Sequence, residues 1–205
     1  MLERVEQWAR ENRWMLIVAS AAALVRLLYV IELSFQPGFT VPMVDERWHW
    51  EWALQIVNQS FWGEGTWFRG PLYPYFLAFL AWITGGSILW AKLLQVLLAF
   101  GTGAFIFLLA EHLFNQRTAI VAGFMYALYG VLIFYESMFL IPVLFLFFTV
   151  WGMYRLVRYR TSTSLGTWFF TGLLFGLAAI TRPNILITMP VLAIWLFFAL
   201  RQVKP

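Results

Sequence analysis

The sequence contains no cysteine, which excludes disulfides, a thiolate nucleophile and cysteine-ligated metals. Its two histidines, His49 and His112, stand far apart along the chain, so no histidine-based metal site is expected. Charge is scarce: 12% of the 205 residues are Asp, Glu, Lys or Arg, against about 25% in an ordinary soluble domain. The net charge of +4 does not point to nucleic acid, because the basic residues sort by position along the chain rather than gathering in one patch. Internal repeats, low-complexity tracts and a soluble domain are all missing, and residues 1–205 read as a single membrane module.

What is abundant is apolar and aromatic. The apolar fraction is 62% and the aromatic fraction 20%, with 12 Trp and 21 Phe, more apolar surface than a soluble fold of this size can hide. A helix needs about 20 mostly apolar residues to cross hydrocarbon, because every backbone polar group must be satisfied within the segment. Six stretches qualify: 14–33, 88–113, 119–135, 139–157, 165–181 and 185–200. The fold class is therefore an all-α integral membrane protein of about six transmembrane helices. Ahead of the first span, Leu2, Val5, Trp8 and Ala9 recur at helical spacing, which predicts a short interfacial helix rather than a cleavable signal peptide.

The stretch 71–84, PLYPYFLAFLAWIT, is apolar but short and carries two prolines in its first turn. The distribution of Lys and Arg decides its role, since these residues collect on the cytoplasmic side of a membrane. With 71–84 lying along the membrane rather than crossing it, Arg4, Arg10, Arg13, Arg117, Arg155, Arg158, Arg160, Arg201 and Lys204 all fall on one side. The other side then holds Arg47, Arg69 and Arg182, with Lys92 just inside a helix end. Both termini are thus expected in the cytoplasm. A long first extracytoplasmic loop, 34–87, is expected to carry two juxtamembrane helices, 44–58 and 71–84.

Three parts of the outer side carry candidate chemistry. Asp45, His49 and Trp52 are spaced i, i+4, i+7 on the first juxtamembrane helix and share a face, while Trp48, Trp50 and Ile56 are expected at the membrane interface. Asp45 near the helix start reads either as a cap for free amides or as a general base or cation ligand at the membrane surface. Arg69, in Trp67-Phe68-Arg69-Gly70-Pro71, suits a phosphate through its planar fork or else reaches lipid headgroups. Lys92, Glu136 and Arg182 are ionisable residues in or at the ends of spans, where a functional role is the default hypothesis. Arg26, midway along the first span, requires a partner, and a buried ion pair with another helix is the plainer explanation.

In this order, the Asp45-Glu46 pair at the head of a juxtamembrane helix, Arg69-Gly70-Pro71-Leu72-Tyr73-Pro74, the cytoplasmic Ala110-Glu111-His112-Leu113 region, Tyr135-Glu136-Ser137 with Pro142, and Thr181-Arg182-Pro183-Asn184 resemble the GT-C superfamily of membrane glycosyltransferases. The nearest branch is family 39, the protein mannosyltransferase and aminoarabinose transferase type, over nearly the whole chain. The resemblance implies transfer of a sugar from a polyprenyl-phosphate-linked donor to an acceptor at the outer membrane face. It implies Asp45, Glu46 and Glu136 as catalytic acidic positions. Arg69, Lys92 and Arg182 follow, on charge and side, as candidates for the donor phosphate. Expected partners are membrane lipid and the lipid-linked donor, in a bacterial or archaeal cytoplasmic membrane. A divalent cation is compatible with these carboxylates, and metal dependence stays open. Members of the family are considerably longer, so a second reading is a non-catalytic GT-C-like subunit associated with further membrane subunits. A transporter or channel is a third, unsupported by paired broken helices or a charged pore ring.

Overall fold

A computed structural model describes residues 7–8, 12–62 and 69–201. Most of the expected 1–14 surface helix, and Trp67-Phe68 ahead of Arg69, lie outside the described residues. Among those described, every regular element is helical: α1 Arg13–Ser34, α2 Val44–Asn58, α3 Leu72–Thr84, α4 Ile88–Leu113, α5 Gln116–Leu128, α6 Gly130–Ser137, α7 Pro142–Arg158, α8 Leu165–Thr181, a 3-10 turn Pro183–Thr188 and α9 Met189–Arg201. The protein is an all-α membrane protein. By length and apolar composition, α1, α4 and the 183–200 segment are long enough to cross a bilayer, and α5 with α6 makes a fourth candidate bent by 58°. The segments expected as spans at 139–157 and 165–181 are 17-residue helices, at the short end of the length that crosses hydrocarbon.

The helix boundaries follow local chemistry. Pro142 opens α7 at a position where its missing N–H costs nothing. Asn115 caps α5 by accepting a 3.0 Å bond from the Thr118 amide, and Gly85 ends α3 at φ 61°. The expected continuous span 119–135 is broken instead at Tyr129, whose extended backbone separates α5 from α6. Such a break frees carbonyls that lipid cannot satisfy. Arg26 of α1 takes them, donating to Tyr126 O at 3.4 Å and Ala127 O at 3.3 Å.

Helices α1, α4 and α5 pack mutually, α4 continues onto α7, and α7 onto α8, while α2 lies on α3. Small residues allow the close approaches: a Cβ on Gly123 would stand 2.2 Å from a Val18 methyl. The α2/α3 pair is fixed by a cluster in which Trp50, Ala53, Ile56, Tyr73 and Leu77 bury against Ala91, Phe139 and Val143. Trp50 stacks on Phe139 with centroids 4.6 Å apart. Trp50 and Ile56 therefore sit inside the protein rather than at the membrane interface, because the side of α2 that carries them is the side that docks on α3 and Phe139. Only Trp48 of that trio is substantially exposed.

Candidate active site

Gly70 is what brings the first loop to the far end of the chain. A Cβ there would lie 2.3 Å from the carbonyl oxygen of Ile180 and 2.5 Å from that of Thr181, a distance only glycine tolerates. The residue before it, Arg69, is thereby held beside the end of α8, which Arg182 follows directly. Pro71 and Pro74 stiffen the first turn of α3. The Arg-Gly-Pro and Thr-Arg-Pro motifs, over a hundred positions apart in sequence, meet because of this backbone contact.

The result is a cavity of about 530 Å³ lined by Asp45, His49, Arg69, Tyr135 and Arg182 on its polar part, with Leu132, Leu140, Ile141 and Pro142 as an apolar wall. Arg69 donates from Nη2 to Asp45 Oδ1 at 2.9 Å, with the two side chains 31% and 52% exposed. Its guanidinium also lies over the Trp48 ring, 5.1 Å from the centroid. The Arg69 hydrogen bond, helped by its charge, holds the Asp45 carboxyl below the usual carboxylate range. Asp45 does not cap α2, since Met43 occupies the N-cap with no side-chain bond; a full guanidinium charge outcompetes a helix amide. Arg182 is exposed and pairs with no carboxylate among the described residues. Just ahead of Asp45, Val44 adopts φ 52°, a strained conformation for a β-branched residue.

Three of the six site residues expected from sequence, Asp45, Arg69 and Arg182, border this cavity. The other three are placed elsewhere. Glu46 and Lys92 form an ion pair with each other, Glu46 also accepting from the Phe139 amide at 3.0 Å. They line a separate cavity of about 200 Å³ beside Phe39 and Met138. Glu136 is 2% exposed and receives Arg26 Nε at 2.5 Å and Tyr126 OH at 2.9 Å. It is the partner Arg26 required, and it does not border the main cavity.

Sequence reasoning passed over a second layer that holds the strap 136–139 against α2 and α4. Gln95 donates to the carbonyls of Glu136 at 2.9 Å and Met138 at 2.7 Å, and accepts from Tyr73 OH at 2.9 Å. His49 Nδ1 lies 3.1 Å from Phe139 O. The available signal was a glutamine within an apolar span, one turn from Lys92, since an amide in such a place needs partners. Among the described residues, no three of His, Cys, Asp and Glu gather as a metal site. A divalent cation at the main cavity would have Asp45 as its single carboxylate, with its other ligands drawn from donor phosphate and water.

Searches of curated proteins and of solved structures found no match to this chain. A family model described as dolichyl-phosphate-mannose-protein mannosyltransferase matches residues 69–204. The match begins at Arg69, so it takes in Arg69, Lys92, Glu136 and Arg182, while Asp45 and Glu46 precede it. With more than half its length matched, the chain belongs to the dolichyl-phosphate-mannose-protein mannosyltransferase family, membrane glycosyltransferases of the GT-C type that use lipid-linked donors.

Proposed function

We propose that the chain transfers a sugar from a polyprenyl-phosphate-linked donor to an acceptor hydroxyl in the cavity bounded by Asp45, Arg69 and Arg182. The observation that carries the reading is the convergence of one carboxylate and two arginines on one cavity in a member of this family. The reaction needs fixed positive charge where the leaving phosphate develops negative charge, and an acceptor for the hydroxyl proton or its hydrogen bond. Arg182, without a carboxylate partner among the described residues, and Arg69 meet the phosphate; the Leu132, Leu140, Ile141 and Pro142 wall receives the first isoprenoid carbons. Asp45 gives one oxygen to Arg69, and no described residue donates to Oδ2, which is left to orient the acceptor.

Glu46 with Lys92, and Glu136 with Arg26, serve in this reading as ties that hold α2 and the 136–139 strap in place. Orientation is part of the proposal: six spans, both termini cytoplasmic and the cavity outside. It rests on Arg117 in the first turn of α5, Arg155 and Arg158 in the last turn of α7 and Arg160 just beyond it, which fall at the helix ends opposite Arg69 and Arg182 if the spans alternate.

The test is transfer from a polyprenyl-phosphate sugar in membranes containing the chain. Asp45→Asn and Arg182→Ala are each expected to lower it by roughly 10²- to 10⁴-fold, as loss of a proton-handling or charge-stabilising group does. Full transfer by both variants would sink the reading. Labelling of a cysteine placed near position 70 in sealed vesicles of known orientation checks sidedness; reaction from the cytoplasmic side would overturn it.

A further inference from the structure

The cavity contains a titratable group that the reading above leaves without a task. His49 follows Asp45 by one turn of α2 and lines the same cavity, yet is only 1% exposed. Its Nδ1 stands 3.1 Å from the carbonyl oxygen of Phe139. A carbonyl has no proton to give, so Nδ1 carries the hydrogen and, in the neutral ring, Nε2 presents a lone pair. No described residue bonds Nε2. The ring is held edge-on between Trp48, with centroids 5.1 Å apart, and Tyr73, 5.2 Å apart. Orientation and tautomer are thus set by the protein, and the ring position that no described residue fills is an acceptor on a residue of the cavity wall.

We propose that His49 Nε2 is the proton acceptor for the acceptor hydroxyl in sugar transfer. The proposal rests on the function assigned above and divides the acidic work differently: Asp45, tied to Arg69, orients the hydroxyl and holds the arginine, while His49 takes the proton. The hydroxyl oxygen forms a bond to the anomeric carbon, and the bond from that carbon to the phosphate oxygen breaks. The bonding pair leaves on the phosphate, facing Arg69 and Arg182. The hydroxyl proton passes to Nε2, and the imidazolium then returns it to water in the open cavity. Burial pushes the His49 pKa below its ordinary 6.5, with the Arg69 charge acting in the same direction and the Phe139 bond and Asp45 opposing. A neutral base is therefore available at neutral pH. The other groups facing the ring are Tyr73 on α3 and, across the cavity, Tyr135 and Arg182. Burial raises the Tyr73 hydroxyl and the Arg69 bond lowers the Asp45 carboxyl, so both move away from that window.

Three measurements on the full chain in proteoliposomes test this. Nitrogen-15 NMR of labelled histidine has only His49 and His112 to distinguish. It is expected to find His49 neutral at pH 7 with Nδ1 protonated; an Nε2–H form would overturn the proposal whatever the turnover. With polyprenyl-phosphate mannose as donor probe, wild-type kcat/KM is expected to fall on the acid side, with a midpoint below 6.5. His49→Asn keeps a donor for Phe139 O but has no Nε2. It is expected to lose roughly 10²- to 10⁴-fold in kcat, keep its donor KM, and lose the acid-side fall. A kcat within about threefold of wild type, or an unchanged pH profile, would overturn the proposal while leaving the function assignment standing. Absence of transfer by the wild type itself would instead remove the assignment, and the histidine's role with it.

Discussion

Two arginine–carboxylate pairs in this protein use the same chemistry to opposite ends. In the Arg26–Glu136 pair neither side chain has any exposed surface. Arg26 also donates to the carbonyls of Ala22, Tyr126 and Ala127, and Glu136 accepts from Tyr126. In the Arg69–Asp45 pair both partners are partly open to solvent, the contact is a single bond, and Arg182, which pairs with no carboxylate among the described residues, lines the same cavity. A guanidinium whose donors are spent on carbonyls of a broken helix has nothing left for a substrate. One held by a single carboxylate oxygen still has most of its fork free. The difference separates framework from site more sharply than the residue types do.

The comparison breaks most visibly at Glu136. Glu136→Ala leaves Arg26 buried and unpaired and is expected to cost about 3–5 kcal/mol, read as a collapse in the yield and thermal midpoint of detergent-solubilised protein. Replacing both members, Arg26→Met with Glu136→Leu, removes the unpaired buried charge but leaves the Tyr126 and Ala127 carbonyls without Arg26, so part of that stability and measurable transfer are expected back. A stable double variant without any transfer would give Glu136 a part in the chemistry. At the open pair the pattern inverts: Arg69→Ala is expected to lower transfer by roughly 10²- to 10³-fold while the thermal midpoint barely moves. Gly70→Ala lies between the two. Its added carbon meets the Ile180 and Thr181 carbonyls, so a loss of about 1–3 kcal/mol is expected, together with lower transfer as Arg69 is displaced from Arg182. The smallest effect belongs to Arg47→Ala, whose pair with Glu51 is more than half exposed on both sides. No change in stability or transfer is expected there, because solvent screens such a pair; a clear loss would show that exposure is a poor guide to function in this protein.

Much of this organisation is legible in the sequence. Apolar runs marked the long helices, prolines marked the start of 71–84, and ionisable residues in apolar surroundings marked places that need partners. Arg26 was read as requiring a counter-ion, yet nothing in the pattern said that Glu136, 110 positions away, would supply it. Lys92 and Glu46 were likewise read as separate site residues, although each neutralises the other.

The sequence by itself determined that the chain lives in a membrane, that its regular structure is helical, and which family it belongs to. These depend on composition, on 20-residue hydrocarbon lengths and on short local motifs. Tertiary structure alone decided which charges are consumed and which remain available. Pairing depends on which helix faces meet, and that rests on contacts such as Gly70 against Ile180 and Thr181, between residues too far apart for any local pattern to encode.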